Sequence, residues 1–342
     1  MSRRRAGALA GVIIALIAGP PAGAAPPPRD AVLAGPGPES ARISAGAVGD
    51  RYSLNDGSGA TVAVTVSAAC RLVCTDADPQ RIANLIGGLL HGPEVERLTV
   101  QLDAPFQVPL DCGSRVTACY YPSRGLIVLS GNDEPARDGA SRALVLAHEY
   151  GHHLASSRVS PVPFPPPLLW GTPRWASHED VCRMRRAGQL VAGSVGADYY
   201  EDPGEAFAEA YGRVHFPSPE VEWKWVPSLK PGPGALRAIR EDALDPWTGR
   251  TSVAVAGRAP AHGVVVRSLP TPLDGTVTVQ GGRPRHGIEL GLRSPLGALG
   301  MARFGSLTRP VDHTVCGESR LGVVMRSLRD RSSSFRLRVQ RP

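Results

Sequence analysis

The sequence has almost no lysine: Lys224 and Lys230 are the only two among 38 basic residues, and the arginines are scattered instead of forming one block with interleaved aromatics. This excludes the clustered basic face of a nucleic-acid binder. Beyond Gly19 no run is apolar enough to cross a bilayer as a helix, which takes about 20 consecutive residues, so no further membrane-spanning helix is expected. The six cysteines lack the paired C-x-x-C spacing of a structural zinc site, which leaves a cysteine-based metal centre as the lesser alternative to disulfides.

What stands at the N-terminus is a secretory leader. Met1-Ser2-Arg3-Arg4-Arg5 is followed by an apolar run from Ala6 to Gly19 and by Ala22-Gly23-Ala24, the small-x-small pattern of a cleavage site. Residues 1–24 are therefore read as a signal peptide. Its loss would remove three arginines and no acidic residue, taking the formal charge from +7 to +4. The mature chain is expected to be secreted, with association with the cell envelope left open, and to have no stable membrane insertion and no nucleic-acid partner. An even cysteine count in an exported chain suggests disulfides. Local closure favours Cys112 with Cys119 and allows Cys70 with Cys74 across a turn; Cys182 with Cys316 then follows by elimination.

At 342 residues the chain has room for two domains. Residues 25–45, rich in Pro, Ala and Gly, read as a flexible lead. Over 46–248 strands and helices mix. Strands are expected at 60–66, 97–102 and 125–130, and a helix opens at Asp78-Pro79, where an N-cap is followed by proline at the first helical position. The strand at 125–130 lies either at the sheet edge, where it could pair with an extended peptide, or inside the sheet. Val159 to Pro173 is too proline-rich for regular structure, and either walls the site or is a plain surface loop. Trp175 to Leu190 reads as one helix. From 249 to 342 short strands separated by Gly, Pro and Asp turns indicate a small β-sandwich. The fold class is thus α+β, with a C-terminal β-sandwich. His262, His286 and His313 lie in that tail at no metal-like spacing and read as surface or packed histidines.

The residues that carry chemistry lie in Ala147-His148-Glu149-Tyr150-Gly151-His152-His153-Leu154. On a helix from Ser141 to Ala155, His148 and His152 stand at i and i+4 on one face and can share one zinc ion. Glu149, adjacent to the first histidine, can reach a water there as general base. Leu144, Ala147, Gly151 and Leu154 form an apolar stripe, so the helix packs into a core and is not an ordinary surface helix. A third ligand at the metzincin position is excluded, since Ala155 and Arg158 stand where glycine and histidine would be needed. The candidate is Glu205, in Asp202-Pro203-Gly204-Glu205-Ala206-Phe207-Ala208-Glu209-Ala210-Tyr211, with Glu209 one turn on to orient a zinc histidine. Taken alone, the same segment is explained by helix capping, with Asp202 as N-cap and Glu205 three residues later. Tyr199 or Tyr200, just before it, could donate to a developing oxyanion.

H-E-Y-G-H with the downstream E-A-F-A-E-A-Y resembles the gluzincin zinc metallopeptidases and is similar to the catalytic core of anthrax lethal factor; the element order from about 60 to 215 looks like the minimal gluzincin, or zincin-like, core. The resemblance implies zinc held by His148, His152 and Glu205, Glu149 as base, Glu209 behind a ligand, and Tyr199 or Tyr200 assisting. The chain departs from the pattern at Asp198, where the assisting tyrosine would fall. The tail is similar, in pattern and position, to the pre-peptidase C-terminal domains appended to secreted peptidases. The expected function is a secreted, monomeric zinc metallopeptidase that acts on peptides or proteins, endopeptidase favoured over exopeptidase. The alternative is an exported zinc-binding protein without catalysis that uses the β-sandwich to bind a cell surface or polymer.

Overall fold

The computed structural model describes residues 30–32, 50–114, 116–193, 198–219, 221–281, 287–295, 305–306 and 309–342. The leader, residues 1–24, and His286 lie outside them. The architecture is α+β. In chain order come β1 (Asp30–Val32), β2 (Asp50–Ser53), β3 (Thr61–Val66), α1 (Ala68–Val73), α2 (Pro79–Gly87), β4 (Thr99–Asp103), α3 (Val108–Cys112), β5 (Ala118–Tyr121), β6 (Leu126–Ser130) and α4 (Arg142–Ser156). Then follow α5 (Pro167–Trp170), α6 (Pro173–His178), α7 (Val181–Arg186), α8 (Pro203–His215) and α9 (Pro233–Leu244). The tail contributes β7 (Thr251–Ala259), β8 (Val264–Pro270), β9 (Gly275–Gly281), β10 (Ile288–Arg293), β11 (Gly305–Ser306), β12 (Val311–Val315), β13 (Arg320–Ser327) and β14 (Ser333–Arg341).

β1 to β6 form one sheet in the order β1-β5-β6-β4-β3-β2. β3, β4 and β6 run parallel, while β5 is antiparallel to β6. The two-residue period of a strand sorts side chains between its faces. Ala118, Tyr120, Ile127 and Leu129 join the core shared with α2 and α4, whereas Cys119, Tyr121, Leu126 and Val128 pack with Val108 and Cys112 of α3. Asp78 caps α2 through Gln80 and Arg81, as its Asp-Pro start implies.

One open reading is decided here and two expectations are corrected. β6 lies between β5 and β4 and is internal, so its backbone is paired on both sides and offers nothing to an extended peptide. The strand outside it is β5, and β5 is itself flanked by β1, three residues of the stretch read as a flexible lead. The expected helix 175–190 is two helices, broken at Asp180, whose φ of 57° is left-handed. The proline-rich stretch is not devoid of regular structure, because Pro167 starts α5 and Pro173 starts α6, first-turn positions where the missing N–H costs no hydrogen bond.

β7 to β14 make two four-stranded sheets, β11-β10-β13-β8 and β12-β9-β14-β7, around one core of Leu269, Val277, Leu290, Val323, Leu337 and their neighbours. The two parts of the chain are joined by the Cys182–Cys316 disulfide. Thr276 donates from its N–H (3.0 Å) and hydroxyl (2.9 Å) to the Val162 carbonyl, and the Asp274 N–H donates to Ser177 Oγ (2.9 Å). Cys70–Cys74 and Cys112–Cys119 are the other pairs. All three match the pairing expected from local closure and elimination, and with no free cysteine a cysteine-based zinc site is ruled out.

Candidate metal centre

α4 begins where Ser141 Oγ accepts the Leu144 N–H, at 3.2 Å. It is buried on nearly every side, between the sheet and α8. Small residues set the closeness of α4 and α8. A Cβ on Gly151 would stand 2.9 Å from Ala208 Cα, and one on Gly212 would stand 3.0 Å from a Leu144 methyl and 3.5 Å from the His148 backbone nitrogen. At the start of α8 the backbone carbonyl of Leu168, on α5, would lie 2.4 Å from a Cβ on Gly204, so α5 lies directly over the turn that bears Glu205. The proline-rich stretch is thus packed on the start of α8.

That close crossing brings His148, His152 and Glu205 together, all three buried. His148 Nε2 lies 3.2 Å from His152 Nε2, and Glu205 Oε2 lies 3.3 Å from the former and 3.1 Å from the latter. Two donors about 2.05 Å from one tetrahedral ion stand about 3.3 Å apart, so the spacing fits ligands of one ion. The donor set, two imidazoles and a carboxylate, can hold a metal ion. On its far side, His148 Nδ1 faces Glu209 Oε2 at 3.3 Å. An Nδ1–H donated there leaves the Nε2 lone pair turned toward the other two donors. His152 Nδ1 is buried and finds no hydrogen-bond partner among the described residues.

Glu149 is fully buried on α4 beside His148, and its charge acts on Tyr120. Tyr199 is buried and Tyr200 half-buried in a short 3-10 turn, Tyr199–Glu201, ahead of α8. Both pack on Trp225, with ring centroids 6.1 and 5.7 Å away, and Trp225 stands 6.2 Å from the His148 ring. His148, His152, Glu205 and Glu209, all marked by their spacing in the sequence, meet here, and the Trp225 indole beside them is not so marked. Nor is Arg213, whose Nε donates to Glu209 Oε1 at 2.8 Å, among the residues expected at the site. Arg213 had a usable signal, a glutamate four residues before it on a helix. Trp225 had none, since it lies in an irregular segment after α8.

A second polar system braces the C-terminal end of α4. His153 Nε2 donates to the Glu94 carbonyl at 2.9 Å, and the Tyr120 hydroxyl is 3.1 Å from His153 Nδ1. Burial lowers the His153 pKa and pushes Tyr120 up to about 12. Glu94 accepts from the Gly92 N–H (2.7 Å), Tyr150 (3.1 Å) and Arg158 Nη1 (3.0 Å). Burial works against its charge, but the Gly92 N–H and Arg158 hold the carboxyl below its ordinary range. Arg158 also donates to the Asp242 and Ala243 carbonyls, so it ties α4 to α9. In the tail His262 pairs with Asp330 and His313 with Glu318, and neither joins a metal group among the described residues.

No family model and no curated protein matches the chain. Among solved structures, the Yersinia pseudotuberculosis-derived mitogen aligns with 27% of this chain and 86% of its own at 10% identity, with a TM-score of 0.23. The Salmonella Typhimurium periplasmic inhibitor of g-type lysozyme aligns with 27% and 89% at 13% identity and 0.21. The 4-O-methyl-alpha-glucuronidase BtGH115A aligns with 59% and 39% at 10% identity and 0.20. Likenesses at these scores carry no argument about the fold or activity of this chain.

Proposed function

We propose that the chain is an exported, monomeric zinc-dependent peptidase with a zincin-like catalytic unit of the minimal gluzincin kind. The observation that carries this reading is the buried convergence of His148 Nε2, His152 Nε2 and Glu205 Oε2 at 3.1–3.3 Å. Two imidazoles and one carboxylate suit zinc, and three protein ligands are the set found where one position is kept for water. Zinc supplies a lowered water pKa and a polarised scissile carbonyl.

The remaining work belongs to side chains. Glu149 accepts the proton of the attacking water and returns it to the leaving nitrogen. Glu209 fixes the tautomer and tilt of His148. Tyr199 or Tyr200 offers a hydroxyl to the developing oxyanion, with Trp225 holding both rings against the His148 side of the site. Export is supported by the leader-like N-terminus and by three disulfides, which persist in oxidising compartments. Among the described residues no helix is long and apolar enough to cross a membrane.

The test is a peptide-library cleavage assay on the zinc-supplemented mature chain beside its Glu149→Gln variant. Cleavage that a chelator removes, zinc restores and the variant lacks is expected. Undiminished cleavage by the variant, or none by the zinc-loaded wild type, would defeat the proposal.

A further inference from the structure

Glu209 is completely buried, and the cation beside it is Arg213, one turn further along α8 with only 14% of its side chain exposed. The guanidinium is placed by more than that ion pair. Nε donates to Glu209 Oε1 at 2.8 Å, while Nη2 donates to the Val221 carbonyl at 2.8 Å and the Glu222 carbonyl at 3.3 Å. Its Cζ lies 5.5 Å from the Trp223 ring centroid, and the ring centroids of Trp223 and Trp225 are 5.3 Å apart and those of Trp225 and His148 6.2 Å apart. A single fork-shaped cation therefore holds the carboxylate behind His148 and also the segment whose indole walls the same imidazole.

We propose that Arg213 is a positioning residue for the metal ligand His148, acting through the Glu209 carboxylate and through the 221–225 segment. The proposal rests on the zinc reading above. The physical case is one of geometry. A buried carboxylate held on one oxygen keeps the other aimed at Nδ1, and so fixes the angle at which Nε2 meets a metal. Lysine could supply the charge but not the fork, because one ammonium cannot span a carboxylate and two carbonyls in a fixed plane. Removing the guanidinium takes away the donor that Glu209 Oε1 accepts from at 2.8 Å.

The experiment is a thermodynamic cycle on zinc affinity, read by competition with a chromophoric chelator, in the full mature chain with Arg213→Met, Arg213→Lys, Glu209→Gln and the double variant Glu209→Gln/Arg213→Met. Near-UV circular dichroism and the melting temperature of each zinc-free protein check the fold. Arg213→Met is expected to weaken zinc binding about 10- to 100-fold, the range for losing a partner behind a metal ligand. Arg213→Lys should show a smaller loss in the same direction, which keeps the test open if the methionine variant does not fold. In the Glu209→Gln background Arg213→Met should cost clearly less than it does alone, since part of its effect runs through that carboxylate. A merely structural role would lower the melting temperature and leave the zinc affinity of the folded variants unchanged, or would add in full to the Glu209→Gln loss. Either result overturns the proposal. Wild-type protein that takes up no zinc overturns the zinc reading and this inference together, whereas normal uptake with unaltered affinity in both Arg213 variants overturns this inference alone.

Discussion

Gly151 on α4 faces Ala208 on α8 so closely that a Cβ on the glycine would lie 2.9 Å from Ala208 Cα and 3.2 Å from its carbonyl oxygen. Neither is the end of a flexible side chain, so the helices themselves would have to part. Both carry the candidate metal ligands, His148 and His152 on α4 and Glu205 on α8. Gly151→Ala is therefore predicted to destabilise the protein by about 1–3 kcal/mol, the usual range for overpacking, and to weaken zinc binding at the same time. Urea titration with and without zinc checks both parts.

Base and ligand separate cleanly in their expected losses. Glu149→Gln should still bind one zinc per chain and lose at least about 100-fold in turnover, as expected for removal of a general base. Glu205→Ala should lose the metal itself, because two imidazoles remain of a three-donor set. Parallel metal analysis and kinetics on the two variants would show the contrast, and unchanged zinc content in Glu205→Ala would place the third ligand elsewhere.

The site was legible in the sequence to the extent that it is local. His148, Glu149 and His152 lie within one helical turn or so, and their spacing is read directly from the chain. Glu205 and Glu209 sit more than 50 residues on and were legible only together with the histidines, since capping alone accounts for Asp202 and Glu205; the N-cap is indeed real, with Asp202 Oδ1 accepting the Gly204 N–H at 2.7 Å. What could not be read is strand order. Leu126–Ser130 looks the same at an edge or inside a sheet, and its neighbours come from Ala118–Tyr121 and Thr99–Asp103 through non-local pairing. The break between α6 and α7 was equally hidden, because the left-handed residue there is Asp180 and not a glycine.

The Glu94–Arg158 pair should matter for stability and not for metal. The side chains are 1% and 7% exposed, and removing one partner leaves the other charge buried. Arg158→Met is expected to cost about 3–5 kcal/mol while zinc affinity at low temperature stays near the wild-type value. Chemical denaturation paired with chelator competition would reveal whether the two effects separate in this way.

Acid should weaken the fold through His215. Its Nε2 accepts the Leu90 N–H at 3.2 Å, and burial, with Arg240 nearby, lowers its pKa from 6.5 to about 4. The unfolded chain takes up a proton below pH 6.5 that the folded chain refuses until about 4, so stability is full above the upper value and falls through this window. His215→Gln, which keeps an acceptor for Leu90, should flatten that part of the melting-temperature profile between pH 7 and pH 4. An identical slope in the two proteins would show that other groups govern it.

The central claim is that His148, His152 and Glu205 hold zinc, and the zinc content of the purified mature protein beside its His148→Ala variant tests it most directly. The account predicts one zinc per chain by elemental mass spectrometry, lost in the variant while the three disulfides remain. No zinc in the wild-type protein, even after refolding with the metal, would contradict it.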